Sequence, residues 1–158
     1  MATFPTPDPG AVVLDANIAI ALSAHEPGRD FIVSAELAHY AHLGYSLFAP
    51  GVLISETLYI LCGKRNGGSL TPTDYATALA TFRRTMRTVL PPPNGDSVLI
   101  ERAEQISSGY GCSRSADGIY IALAEELTQT RPTVLLTFDK ELQKQANKQA
   151  PSVVVQVL

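Results

Sequence analysis

The chain is predicted to fold as an α/β protein in which helices cover both faces of a mainly parallel sheet. Strand and helix patterns alternate along almost the whole sequence, in the order β-α-α-β-α-α-β-α-α-β-α-β. Two of the strands run directly into an aspartate, Asp15 and Asp139, as is typical where buried parallel strands end at a ligand site. The 158 residues, 46% of them hydrophobic and 17% charged, suffice for one globular domain.

The net charge and the two cysteines indicate what kind of ligand and which cellular compartment to expect. The formal net charge of -3 gives no overall attraction to nucleic acid, so a polyanionic substrate must be held by a local basic patch or through bound cations. Cys62 and Cys112 form no CxxC pair, so reduced thiols are expected. The sequence has no stretch long enough to span a membrane and no signal-peptide pattern at its start. We therefore expect a cytoplasmic protein without a membrane partner.

The first strand follows a proline-rich segment. Residues 1–11 contain three prolines and are predicted to form an extended tail, ahead of a single domain at 12–158. The domain opens with Val12-Val13-Leu14, a buried strand, and Asp15 comes next. Asp15 then has two interpretations. It could line a site at the carboxyl edge of the sheet, or it could merely cap the helix that follows.

Two helices are predicted next, at 16–24 and 29–43, with Pro27-Gly28 between them. His39 and His42 are three residues apart on the second helix, a spacing that could hold a metal ion. Because no third histidine or cysteine lies near them in sequence, a solvated helix face is the better interpretation. A second strand is predicted at 45–49.

A third helix is predicted at 52–62, and Glu56 is its informative residue. The neighbours of Glu56 at helical spacing are apolar: Val52, Leu53, Tyr59 and Ile60. A buried carboxylate is unfavourable unless it is paired, protonated or bound to a cation, so Glu56 needs a partner. The alternative is a structural salt bridge to an arginine or lysine elsewhere.

Basic residues follow in a predicted flexible loop at 64–68 and at the end of a fourth helix. That helix starts with Thr71 as N-cap and Pro72 at its first position. Arginines at its carboxyl end suit the helix dipole as well as they suit phosphate binding. The side chains available to bind phosphate groups are Lys64, Arg65, Arg83, Arg84, Arg87 and Arg114.

A short strand is predicted at 89–90, followed by a fifth helix at 96–107 on which Val98 is expected to face inward. The sequence Ser115-Ala116-Asp117-Gly118 then leads into an apolar helix at 119–127. Ser115 is a suitable N-cap, and Asp117 lies in the first turn, where the helix dipole also favours an acid. Gly118 inside a helix costs up to about 1 kcal/mol relative to alanine, so we expect a close approach there. A strand at 133–139, a helix at 140–148 and a last strand at 152–158 complete the order.

Four acidic residues, Asp15, Glu56, Asp117 and Asp139, are expected to converge on one site. Two carboxylates about 4 Å apart repel by roughly 4 kcal/mol at an effective dielectric of about 20, so the group needs protons, basic partners or a divalent metal. Oxygen ligands without histidine or cysteine favour Mg²⁺ or Mn²⁺ over zinc. Such a site suits phosphodiester hydrolysis, because the metal activates water and neutralises phosphate charge.

Four sequence segments carry a resemblance to a known family. They are Val-Leu-Asp-Ala-Asn after residue 12, Ile-Ser-Glu-Thr-Leu around Glu56, Ser-Ala-Asp-Gly-Ile-Tyr-Ile-Ala-Leu-Ala from Ser115, and Leu-Leu-Thr-Phe-Asp-Lys-Glu-Leu around Asp139. In this order and spacing, the chain resembles PIN domains, the nuclease fold of VapC-type toxin ribonucleases, over about residues 12–158. The proline-rich tail and the Pro91-Pro92-Pro93 loop are not part of that resemblance.

The resemblance implies a PIN-like three-layer α/β/α fold and a Mg²⁺- or Mn²⁺-dependent endoribonuclease. It also implies that the four acids bind the metal, with Asn17 and Thr137 as polar support. A VapC-type toxin would form a homodimer and would be inhibited by a small antitoxin. The alternatives are an RNA-processing PIN nuclease without an antitoxin, or a catalytically silent PIN module that binds RNA or protein. A phosphatase-like hydrolase with a nucleophilic aspartate is disfavoured, because no DxD follows the first strand.

Overall fold

The computed structural model describes residues 9–112 and 115–158, without the side chain of Ser115. The strands in this part of the chain are β1 (Ala11–Leu14), β2 (Ser46–Phe48), β3 (Val89–Leu90), β4 (Thr133–Thr137) and β5 (Val154–Val157). The α-helices are α1 (Ala16–Ser23), α2 (Arg29–His42), α3 (Val52–Asn66), α4 (Pro72–Met86), α5 (Ile100–Gly109), α6 (Ser115–Thr128) and α7 (Lys140–Gln149). A 3₁₀ turn at Ser97–Leu99 leads into α5. The predicted order of strands and helices is confirmed, and β1 begins one residue earlier than expected.

The five strands form one sheet in the order β3-β2-β1-β4-β5, and every pairing is parallel. This confirms the predicted three-layer α/β/α fold with a parallel central sheet. From β1 the chain moves to one side through β2 and β3, and it then returns to the other side of β1 as β4. The strand order therefore reverses between β1 and β4, and ligands of open α/β sheets bind at the carboxyl ends of the strands at such a point.

The core is centred on β1 and β4. All four residues of β1 are buried, because α6 packs against both β1 and β4 while α5 packs against α6. On α6, Tyr120, Ile121 and Leu123 are fully buried. The short β3 and the partly exposed β5 are the edges of the sheet. The middle of the sheet is thus the most rigid platform that this chain offers for a site.

An ion pair that the sequence did not predict joins three helices. Arg102 on α5 donates from Nε to Glu125 Oε2 at 2.6 Å and from Nη2 to Glu125 Oε1 at 2.9 Å. The same Nη2 also donates to the carbonyl oxygen of Gln149, the last residue of α7, at 2.8 Å. A bidentate contact between an arginine and a carboxylate fixes the relative orientation of the two side chains, so Arg102 holds α5, α6 and α7 in their relative positions.

Helix ends and helix faces differ from the prediction in several places, and α6 begins at Ser115 instead of at 119. The loop predicted at 64–68 is wrong in part: α3 continues to Asn66, because Lys64 and Arg65 suit its carboxyl end. The apolar pattern that predicted α2 does not mark a buried face, since Phe31 is 77% exposed and Val33 is the buried residue of that helix. Val98, predicted to face inward, is also exposed.

No helix within residues 9–112 or 115–158 is long and apolar enough to cross a membrane. Cys62 and Cys112 are both free and exposed, in agreement with the expected reduced thiols. The first eight residues, where most of the predicted tail falls, lie outside the described part of the chain.

The close approach predicted at Gly118 is confirmed. Gly118 is buried on α6 where α5 packs against it. A Cβ atom at this position would lie 2.8 Å from the backbone oxygen of Ala103 and 2.5 Å from Ser107 Oγ. Both distances are well below van der Waals contact, and the first involves backbone of α5, which cannot rotate away. Glycine at 118 therefore allows the two helices to approach.

We expect Gly118→Ala to lower the free energy of unfolding by about 1–3 kcal/mol, because it overpacks the contact between α5 and α6. Gly63→Ala on α3 is the matched control: a Cβ there meets nothing within 4 Å. The control should instead stabilise the protein by up to about 1 kcal/mol through helix propensity. Urea unfolding of both variants measures the difference. A Gly118→Ala protein as stable as the control would show that the helices can separate without cost.

Candidate active site

Four acidic residues from four separate segments line one cavity of about 340 Å³ at the carboxyl edge of the sheet. Asp15 follows β1 and Asp139 follows β4, while Glu56 lies on α3 and Asp117 in the first turn of α6. The cavity sits where the strand order reverses between β1 and β4. The structure therefore brings together the four acids that the sequence predicted to converge.

Asp15 is the most buried of the four, with 6% of its surface exposed. Its Oδ1 accepts a hydrogen bond from the backbone N–H of Ala16 at 2.7 Å, so it does cap α1. Its Oδ2 accepts from Thr137 Oγ1 at 2.6 Å and from Asn17 Nδ2 at 3.1 Å. Burial raises the pKa of Asp15, and the charge of Asp139 adds to this, while the hydrogen bonds oppose it. Both interpretations of Asp15 hold: it caps a helix and lines the cavity.

Thr137 and Asn17 join the ends of β1 and β4 around Asp15. The hydroxyl of Thr137 donates its proton to Asp15 and accepts from Asn17 Nδ2 at 3.1 Å and from the backbone N–H of Asp139 at 2.9 Å. Asn17 Oδ1 accepts from the backbone N–H of Phe138 at 3.2 Å. The two residues expected to support the acids thus contact Asp15 directly. Ser115, predicted as an N-cap and as a further polar residue of the site, is the first residue of α6, and its side chain is not described.

Glu56 lies at the edge of the buried side of α3, which is formed by Leu53, Thr57 and Leu61. The apolar neighbours of Glu56 do not form one buried face as expected, because Tyr59 is 78% exposed while Leu53 is fully buried. Burial is still the largest cause that raises the pKa of Glu56, and the nearby charge of Asp15 raises it further. In the described part of the chain, no lysine, arginine or histidine pairs with Glu56, so the salt-bridge alternative has no support there.

Tyr120 is a site residue that the sequence analysis missed. Its hydroxyl donates to Glu56 Oε1 at 3.4 Å, and its side chain is fully buried. Burial raises the pKa of the Tyr120 phenol, as do the charges of Glu56 and Asp15, so the hydroxyl stays protonated. A signal was present: Tyr120 lies one helical turn after Asp117, within the otherwise aliphatic run 119–124.

The donor set fits a hard divalent cation. Carboxylates and the Asn17 amide line the cavity, and none of its lining residues is histidine or cysteine. Within residues 9–112 and 115–158, no three side chains of aspartate, glutamate, histidine or cysteine lie close enough together to hold a metal ion as they stand. His39 and His42 are both exposed, as predicted for a solvated helix face.

The predicted phosphate-binding side chains do not line the acidic cavity, as far as the described residues show. Lys64 Nζ lies 3.6 Å from Glu26 Oε2, and the Arg65 guanidinium carbon lies 5.2 Å from the centroid of the Tyr75 ring. Arg83, Arg84 and Arg87 are exposed near the end of α4, and Arg114 lies outside the described residues. Their role in binding RNA stays a prediction.

A second and larger concave surface lies between α3 and α4, and we call it the α3–α4 groove. Its volume is about 960 Å³. Its lining is largely apolar, with two arginines at one end, and it comprises Ile54, Leu58, Tyr59, Cys62, Tyr75, Leu79, Phe82, Arg83, Met86 and Arg87. None of the four acids lines it, so this groove is separate from the acidic cavity.

Comparisons with known proteins agree with the fold. A family model described as PIN domain matches residues 12–148. The structure is similar to a chain in the crystal structure of VapBC2 from Rickettsia felis bound to a DNA fragment from their promoter, with a TM-score of 0.62 and 10% identity over 93% of this chain and 98% of that one. It is also similar to PAE2754 from Pyrobaculum aerophilum, with a TM-score of 0.55 and 17% identity over 96% of this chain and 88% of that one. No curated protein matches the chain significantly.

We expect Glu56→Gln to stabilise the metal-free protein at neutral pH. Because the folded-state pKa of Glu56 is raised, its ionised form destabilises the folded protein at pH values above that pKa. This cost shrinks as the pH falls through the raised pKa, and it is absent below the ordinary value of 4.5. The gain from the substitution should disappear over the same window.

Thermal melts in EDTA across that pH range provide the measurement. Glu104→Gln, at an exposed position of α5, is the matched control and should show no such pH-dependent gain. A Glu56→Gln protein that melts well below wild type at neutral pH would mean that Glu56 neutralises a buried cation instead.

Proposed function

Because the chain belongs to the PIN domain family, whose members are nucleases, we propose that it is a Mg²⁺- or Mn²⁺-dependent endoribonuclease. The observation that carries this proposal is the acidic cavity at the point where the strand order reverses. Four carboxylates share it without a lining lysine or arginine in the described part of the chain. Such a group is unfavourable in a purely structural role and suits the binding of a divalent cation.

In this proposal, Asp15, Glu56, Asp117 and Asp139 hold the cation. When bound, a divalent ion supplies activated water and neutralises the charge on the scissile phosphate. The protein contributes orientation: Thr137 and Asn17 fix the Asp15 carboxylate through neutral hydrogen bonds, which leave its negative charge available. One of the carboxylates accepts the proton of the attacking water.

We expect Asp15→Asn and Asp117→Asn each to reduce RNA cleavage by more than about 100-fold while the fold persists. Each change removes a charged ligand but keeps the side-chain volume, and even outer-sphere partners of metals contribute about 10- to 100-fold. Purified protein is incubated with tRNA and rRNA pools in Mg²⁺, Mn²⁺ or EDTA, and new RNA ends are mapped. Asp74→Asn, an exposed acid in α4, is the control. Equal cleavage by all variants would overturn the assignment.

We further propose that the protein is the toxin of a toxin–antitoxin pair. The shared fold with a chain of the VapBC2 complex supports this. A protein partner is also supported by the α3–α4 groove, because apolar surfaces of this size on folded proteins are commonly binding sites. We place the antitoxin in this groove, with acidic side chains facing Arg83 and Arg87. A homodimer is proposed as well, with the exposed Val98 of the 3₁₀ turn and Ile100 at the start of α5 in its interface.

Expression of the wild-type chain alone should then arrest growth, and co-expression of the short reading frame beside its gene should relieve the arrest. Leu58→Asp should keep the toxicity but prevent relief, because Leu58 lines the groove, is 41% exposed and does not support the core. Phe31→Asp, on the exposed face of α2, is the control and should still be relieved. Growth counts and RNA-end mapping are the measurements.

Unimpeded growth at high soluble expression, together with RNA cleavage in vitro, would favour an RNA-processing nuclease without an antitoxin. Growth without any cleavage would favour a silent module that binds RNA or protein. The complete set of four acids in the cavity counts against the silent module, since a binding role does not require clustered carboxylates.

A further inference from the structure

Tyr120 poses a question that the proposed function leaves open. It is among the largest fully buried side chains of the protein, on the helix that packs across β1 and β4. A buried phenol hydroxyl normally finds a hydrogen-bond partner. Aliphatic residues surround Tyr120 in sequence, and a phenylalanine of almost the same shape would fill the same space without a polar atom. Packing alone therefore does not explain why this position carries a hydroxyl group.

The partner of this hydroxyl is a carboxylate of the acidic cavity. Within the described residues, Tyr120 Oη has one hydrogen bond, to Glu56 Oε1 at 3.4 Å. In the same part of the chain, Glu56 receives no other side-chain or backbone hydrogen bond and no ion pair. The distance is long for a hydrogen bond, and contacts of this kind often tighten when a site is filled. Among the described residues, each of these two groups is thus the only hydrogen-bond partner of the other.

The chemistry of the contact resembles the way Asp15 is held. Asp15 is oriented by the amide of Asn17, the hydroxyl of Thr137 and the backbone N–H of Ala16, all of which are neutral donors. Neutral donors direct the oxygens of a carboxylate without cancelling its charge, as partners of metal ligands do. A lysine or arginine in place of Tyr120 would pair with Glu56 and compete with a cation. A phenol orients Glu56 and leaves its charge uncompensated.

We propose that Tyr120 is a positioning residue, whose hydroxyl holds the Glu56 carboxylate toward Asp15 in the orientation that binds the divalent cation. This inference rests on the proposed function, since it assigns a role within the same site. Tyr120 would affect cation binding only through its hydrogen bond to Glu56. Tyr120 itself is fully buried, so it does not contact RNA.

The test is Tyr120→Phe, which removes the hydroxyl and keeps the ring. Its matched control is Tyr40→Phe, because Tyr40 donates its hydroxyl to Gln156 Oε1 at 2.5 Å, on another part of the sheet. Isothermal titration with Mn²⁺ is expected to show about tenfold weaker binding for Tyr120→Phe and wild-type binding for Tyr40→Phe. The Mn²⁺-induced rise in melting temperature should fall in parallel.

Steady-state kinetics add a second readout. At limiting Mn²⁺, kcat for RNA cleavage should fall while KM for RNA is unchanged, and excess Mn²⁺ should restore kcat. In a Glu56→Gln background, Tyr120→Phe should change Mn²⁺ binding by less than about twofold, because its effect passes through Glu56.

Wild-type Mn²⁺ affinity in Tyr120→Phe would overturn the proposal, and so would an undiminished effect in the Glu56→Gln background. A Tyr120→Phe protein that fails to fold would also overturn it, since the hydroxyl would then be structural. Failure of the wild-type chain to bind Mn²⁺ or cleave RNA is a separate result, which would reject the proposed function itself.

Discussion

The hydrogen bond from the Thr137 hydroxyl to the Asp15 carboxylate connects the two central strands of the sheet at the end where the acids meet. Asp15 is buried and negatively charged, and neutral groups alone hold it among the contacts described. The Thr137 hydroxyl donates its single proton to Asp15, and its oxygen accepts hydrogen bonds from Asn17 Nδ2 and from the backbone N–H of Asp139. This junction therefore fixes the strand ends and leaves the charge of the cavity uncompensated, which is the condition that a cation site requires.

The sequence was sufficient to predict the order of strands and helices and the convergence of four acids, because both depend on local patterns. A buried parallel strand is a short apolar run, and an acid at its end has a defined position on the sheet edge. Contacts between distant segments could not be predicted in this way. Arg102 reaches Glu125 and Gln149, and Tyr120 reaches Glu56, only through the tertiary packing of α5, α6 and α3. The exposure of Phe31 has the same origin: an apolar helix face indicates that something could cover it, not that this chain does.

The distribution of positive charge agrees with a site that relies on a bound cation. Arg102 pairs with Glu125, Lys64 with Glu26, and Lys144 with Glu141, so these cations are engaged with acids away from the cavity. Arg83 and Arg87, at the carboxyl end of α4, border the α3–α4 groove, where the proposed acidic partner would contact them. If this acidic protein acts on RNA as proposed, the bound metal ion would neutralise the phosphate at the reacting centre. The lysines and arginines would then contact phosphates only on the surrounding surface.

The separation of Asp15 and Thr137 in the sequence has a consequence for how the protein is made. The two residues are 122 positions apart, and β4, which carries Thr137, is the fourth of the five strands. While the chain emerges from the ribosome, β1 has no β4 beside it, and Asp139 has not yet been synthesised. The cavity is therefore completed only after β4 and Asp139 have been synthesised. A nascent chain that has not reached Asp139 therefore carries an incomplete set of acids, and the proposed cation site forms only after that residue has left the ribosome.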